Sequence, residues 1–157
     1  MLVKLIVLLL FAASPATGQT GEQRGGSEAN TQSRQSARFR VRRAGEYRSL
    51  INKLRARGAT VEYTREKVSQ PFFSVAGRII SVNGEHIQVF EYAQASAADD
   101  DAKRVSADGR SIGTNKPSWM ATPHFYKSSR LIVLYLGANQ TTLEVLNSVL
   151  GGQFAGG

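Results

Sequence analysis

The chain has 157 residues, no cysteine, and 20 lysines and arginines against 12 aspartates and glutamates, a formal charge of +8. Without a thiol there are no disulfides, no thiolate catalysis, no cysteine-ligated zinc and no iron–sulfur cluster. Lipid attachment of the bacterial lipoprotein kind, which needs a cysteine, is excluded as well.

The first eighteen residues read as a secretory signal peptide. Lys4 supplies a positive start, Leu5 to Ala13 an unbroken apolar run, and Ser14-Pro15-Ala16-Thr17-Gly18 a small, polar exit. Nine apolar residues make about 14 Å of helix, well short of the ~30 Å hydrocarbon core of a bilayer. Cleavage near residue 18, after Gly18 or Ala16, is therefore expected in place of a membrane anchor. The mature protein is expected in the periplasm or outside the cell. Residues 19–44 follow as a basic linker rich in Gly, Ser, Gln and Arg, with six arginines against Glu22 and Glu28. Too little of it is apolar to offset the entropy of ordering, so it reads as disordered. Within it Arg38, Arg40, Arg42 and Arg43 surround Phe39 and Val41, a pattern suited either to a solvated linker or to contact with an anionic polymer or envelope surface.

Residues 45–157 are expected to form one domain. Tyr47, Leu50, Ile51 and Leu54 recur at helical spacing, and Gly58 suits a C-terminal cap, which predicts a helix over 46–57. Val61 and Tyr63 alternate with polar neighbours in a short strand over 59–64. From Phe72 to Tyr92 two β-rich runs flank Asn83-Gly84, the strongest short-range hairpin signal. A two-residue loop there pairs Val82 with Glu85, Ile80 with Ile87 and Arg78 with Val89, and extends to Val75 with Tyr92. Both faces are largely apolar, so the hairpin is expected to be central and covered on both sides. Ser96 with Asp99 suggests a capping box for a helix reaching Val105, with Asp99–Lys103 and Asp100–Arg104 as surface pairs. Trp119 to Tyr126 reads as a strand interrupted at Pro123, which suggests an edge or a bulge. Arg130 to Leu136 reads as a buried central strand, and Thr141-Thr142-Leu143-Glu144 as the capping box of a last helix ended by Gly151. The order α-β-β-β-α-β-β-α predicts an α+β domain: an antiparallel sheet of about five strands with about three helices.

Several motifs imitate chemistry. Gly109-Arg110-Ser111-Ile112-Gly113 matches G-x-S-x-G, but a nucleophile elbow needs a strand before the serine and a helix after it, and neither is predicted. Asp99-Asp100-Asp101 points in different directions on a helix and suits the first turns of that helix better than a metal site. His86 is expected to be exposed opposite Ser81. His124, with Trp119, Tyr126 and Arg130, is the best candidate for a contact surface, since aromatics and arginine are enriched where proteins bind. The histidines have no metal spacing and the glycine-rich stretches carry no phosphate-loop lysine, so neither a metal nor a cofactor is expected.

Gln70-Pro71-Phe72-Phe73-Ser74-Val75, Val82-Asn83-Gly84-Glu85, Gln88-Val89-Phe90-Glu91-Tyr92, Pro123-His124-Phe125-Tyr126 and Leu131-Ile132-Val133-Leu134-Tyr135 occur in order. This string resembles a group of bacterial exported proteins and lipoproteins of unknown function. The resemblance spans roughly residues 59–155 and implies an envelope protein with no known activity. The expected function is a non-catalytic binding or interaction module. Its partner would be an anionic envelope polymer or another envelope protein; the alternatives are a polyanion binder acting through the arginine-rich segment and a small hydrolase using Ser111 or His124.

Overall fold

The computed structural model describes residues 45–157; the expected signal peptide and basic linker lie outside them. The order is α1 (Gly45–Ala56), β1 (Val61–Val68), β2 (Gly77–Val82), β3 (Glu85–Glu91), α2 (Ala95–Lys103), β4 (Pro123–Ser128), β5 (Leu131–Leu136), α3 (Gln140–Leu150) and β6 (Ala155–Gly156). The strands form one antiparallel sheet in the order β1-β2-β3-β5-β4-β6. The domain is thus α+β, with one strand more than expected. The sixth is β6, two residues that pair with His124 and Phe125 of β4.

The β2–β3 hairpin organises the sheet. Asn83 (φ 53°) and Gly84 (φ 86°) both take positive φ, as a type I′ turn requires. The two-residue loop fixes the register Val82↔Glu85, Ile80↔Ile87 and Arg78↔Val89. Alternation then sends Ile80, Val82, Ile87 and Val89 to one face and Phe90 to the other. The first face packs beneath α1 and α3 against Tyr47, Leu50, Ile51, Leu54, Val145 and Leu146. The second lies under Phe72, Phe73, α2 and the long segment 104–122, with Ala98, Ile112 and Trp119 against Phe125, Ile132 and Leu134. Each fully buried side chain of this size contributes about 1.5–3 kcal/mol, so both faces hold the sheet. The hairpin ends sooner than its sequence pattern suggests. Residues 71–75 turn away, and Tyr92 bonds through its N–H to the Arg130 carbonyl instead of pairing with Val75.

Other boundaries shift for identifiable reasons. β1 runs on to Val68 because a bulge between Tyr63 and Lys67 restores pairing with Arg78. The strand expected from Trp119 begins only at Pro123, whose missing N–H is harmless at a first strand position. Gln94, not Ser96, precedes α2 as its N-cap, and it makes no side-chain cap bond. The last helix is capped by Asn139, whose side-chain oxygen accepts from the Thr142 N–H; Thr141 is already inside it. The expected i,i+4 pairs on α2 do not form. Asp100 pairs with Lys103, Asp101 with Arg104, and Asp99 reaches across to Lys127 on β4.

Candidate functional site

Trp119, His124, Tyr126 and Arg130, singled out around β4 and β5, are not brought to one surface. Alternation along β4 turns His124 and Tyr126 toward the face that α1 and α3 cover and Phe125 toward the opposite layer, where Trp119 packs. Tyr126 is fully buried, and its hydroxyl has no hydrogen-bond partner among the described residues. Burial pushes its pKa upward. The His124 ring stacks on Tyr135 with centroids 5.8 Å apart. Its Nδ1 lies 2.7 Å from Gln153 Oε1 and its Nε2 2.9 Å from the Gly137 carbonyl oxygen. Both ring nitrogens face acceptor oxygens, and the one that carries the proton donates, so the residue lies between the loops after β5 and α3 and is held by them. Arg130 closes the β4–β5 turn. Its Nε donates to Glu46 at 3.0 Å, its Nη1 to the Tyr92 carbonyl at 3.0 Å, and its backbone N–H to Glu46 at 2.9 Å. Burial disfavours the charged form of Glu46, but these donors outweigh it and hold the carboxyl below its usual range. Arg130 thereby braces α1 against the ends of β3 and β5.

The acidic run on α2 resolves in a similar way. Asp101 is 5 % exposed. Its carboxylate accepts from the Ser74 N–H at 2.8 Å, the Ser74 hydroxyl at 2.9 Å and the Tyr92 hydroxyl at 2.9 Å, with Arg104 at 3.3 Å. Burial opposes its ionisation, yet the donors prevail and the pKa is lowered. The same contact, added to burial, drives the Tyr92 phenol strongly upward. No group of three or more His, Asp or Glu among the described residues is arranged to hold a metal ion.

Trp119 lies in the segment 104–122, which folds through local polar bonds. Asp108 Oδ1 accepts from the Ser106 hydroxyl at 2.6 Å and the Arg110 N–H at 3.0 Å, bonds that keep its pKa low. Gly109 follows at φ 67°, where an added Cβ would stand 3.0 Å from Phe125 and 3.1 Å from Pro123, so only glycine fits comfortably. Its carbonyl accepts the Trp119 indole N–H at 2.8 Å. Phe72 and Phe125 pack edge-on to the indole at 5.8 and 6.0 Å. So fixed, Trp119 lines an open cleft of about 440 Å³ with Asp108, Arg110, Pro117, Ala121, Thr122 and Pro123, within the ~300–1,000 Å³ common for small-ligand sites. The Arg110 side chain is not among the five ion pairs of the described residues. Ser111, next to it, has its N–H on the Ser106 hydroxyl and its carbonyl on the Ser106 N–H, within a turn and not at a strand-to-helix junction.

Of this cleft, Trp119 alone stands out in the sequence as a contact residue; Arg110 appears there only inside the Gly109–Gly113 motif, and Asp108 carries no binding pattern of its own. Arg38, Arg40, Arg42 and Arg43 lie outside the described residues. None of the described helices is long and apolar enough to cross a membrane. No protein-family profile, curated protein or solved structure matches the chain.

Proposed function

We propose that residues 45–157 are a non-catalytic binding domain of an exported bacterial envelope or extracellular protein, and that its ligand enters the Trp119 cleft. The observation that carries this is the fixed indole: an aromatic surface held by a hydrogen bond and two edge-on rings, with a guanidinium at the rim. Such a pair suits a small ligand with one flat or apolar face and one anionic group. The internal engagement of His124 and Asp101 supports a binding role over a hydrolytic one, because a general base must be open to the proton it takes. Export is supported by the charged, apolar and small-residue order of the first eighteen residues and by the motif string that resembles exported envelope proteins.

Trp119 is the only tryptophan, so its emission reads the cleft directly. The purified full chain, titrated with oligogalacturonates and with short peptides bearing a free carboxylate, is expected to show a saturable emission change that Arg110→Gln weakens. A change insensitive to Arg110→Gln would move the site elsewhere. Turnover of a bound compound that is lost on Ser111→Ala or His124→Ala would overturn the non-catalytic reading. Recovery of the expressed full chain in the envelope or medium fraction, shortened near residue 18, tests export.

A further inference from the structure

Across the sheet from Trp119, the surface between α1 and the edge strand β1 breaks an ordinary rule of sheet design. Lys67 on β1 sits directly opposite Arg78 on β2, and like charges facing each other across strands are destabilising. Arg48 and Arg55, seven residues apart on α1, share the helix stripe beside this edge. All four cations are exposed, and none belongs to an ion pair among the described residues. The carboxylate facing Arg78 from the next strand, Glu91, pairs with Arg130 and attracts Arg78 only from beyond ion-pair distance. Glu62, opposite Ser81, falls on the other face of the sheet.

Two tyrosines run between these cations. The Arg78 guanidinium lies over the Tyr47 ring at 4.9 Å and the Arg55 guanidinium over the Tyr63 ring at 5.3 Å, with the two rings 6.5 Å apart. Arg55 is fixed further by a 2.7 Å bond to the Val61 carbonyl. Tyr47 is buried, but Tyr63 is 57 % exposed. The result is a narrow row of oriented guanidiniums with an accessible aromatic ring inside it. Guanidinium planes bond phosphate oxygens in pairs, and an open ring accepts a base by stacking. A row one or two side chains wide follows a strand better than it covers a plane.

We propose that this row, Arg78–Tyr47–Tyr63–Arg55 with Arg48 and Lys67, docks single-stranded nucleic acid, phosphates on the cations and one base on Tyr63. The Tyr47 ring and the distant charge of Glu91 offset the Arg78 charge only in part. A place where a local rule is broken is where function is expected, and an anionic strand relieves the Lys67–Arg78 repulsion. The proposal is independent of the Trp119 cleft and of the arginines before residue 45.

The test measures fluorescence anisotropy of a labelled oligothymidylate with the full chain across a salt series. Neutralisation of four phosphates gives a log–log salt slope of about −3, and Arg55→Gln/Arg78→Gln is expected to reduce its size by about 1.4. Tyr63→Leu is expected to lower affinity at least about five-fold. Lys116→Gln, which removes one charge on the remote loop, is expected to leave both quantities unchanged. Near-UV circular dichroism from Trp119 reports whether each variant keeps its packing. The proposal is overturned if the double variant, still packed, binds with the wild-type slope. Loss confined to a full chain with Arg38, Arg40, Arg42 and Arg43 changed to Gln also overturns it. So does equal affinity for inorganic polyphosphate with no effect of Tyr63→Leu, which would assign a polyanion site without base recognition.

Discussion

Replacement of Asp101 by alanine is expected to lower stability by about 3 kcal/mol at neutral pH. Its carboxylate gathers two donors from Ser74 and one from Tyr92. Net, a hydrogen bond to a charged group is worth about 1.5–3 kcal/mol, but these do not simply add. Ser74 is exposed, so water replaces most of what its two donors lose. Tyr92 is 1 % exposed, and its orphaned hydroxyl bears an unsatisfied-donor cost of about 1–3 kcal/mol. In a domain of this size the sum corresponds to a fall of roughly 10–15 °C in Tm. Asp101→Asn keeps the shape and one acceptor and is expected to cost about half as much. The sign of the pH effect follows from the lowered pKa. The stability it confers is complete above the unfolded value of about 3.9 and disappears as pH falls through the folded value. Urea unfolding of wild type and Asp101→Asn at pH 7 and pH 3 should therefore show a gap that narrows at the lower pH. Glu46, also lowered, titrates equally in both proteins and cancels. A gap of the same size at both pH values would refute the argument, because the bonds would then be indifferent to ionisation.

Tyr126→Phe is expected to leave stability unchanged or raise it by up to about 1 kcal/mol, because it removes a buried hydroxyl without a partner among the described residues; urea midpoints check this. Gly156→Ala is expected to detach β6, since φ is +88° and the new Cβ would fall 1.9 Å from the Pro123 carbonyl oxygen. Faster hydrogen exchange at the Gly156 and Gly157 amides, with the β2–β3 amides unchanged, would report that local release.

What the sequence discloses depends on how local the determining physics is. The β2–β3 register was legible because Asn83-Gly84 permits one turn type and the side-chain period does the rest. The stripe Tyr47, Leu50, Ile51 and Leu54 identified α1 for the same reason. β6 was not legible, since Ala155-Gly156 carries no pattern and is a strand only because β4 is beside it. The sequence shows Asp101 only as one of three acids in the first turns of a helix, because its partners Ser74 and Tyr92 are 27 and 9 residues away. For the site, strict alternation along Pro123-His124-Phe125-Tyr126 already separates His124 from a residue that packs on Phe125, and Trp119 is such a residue. The Tyr47–Tyr63 contact depends on how α1 crosses the sheet, a tertiary angle that no spacing in the chain records.

The two margins of the sheet have a consequence for how this protein behaves among its own copies. β6 is two residues long and covers β4 only at His124 and Phe125; beyond it β4 offers just Tyr126 to Ser128, with the charged Lys127 in the middle, too short to template another strand. β1 is long enough, but the bulge between Tyr63 and Lys67 bends it and places Arg65, Glu66 and Lys67 at the rim. An incoming backbone would have to flatten that kink and displace the charges before gaining a ladder. The apolar interior strands Phe125–Tyr126 and Leu131–Tyr135, which would aggregate if bared, thus sit behind two guarded borders. Crowding alone should not drive the folded domain into fibres; that route opens only once the sheet itself comes apart.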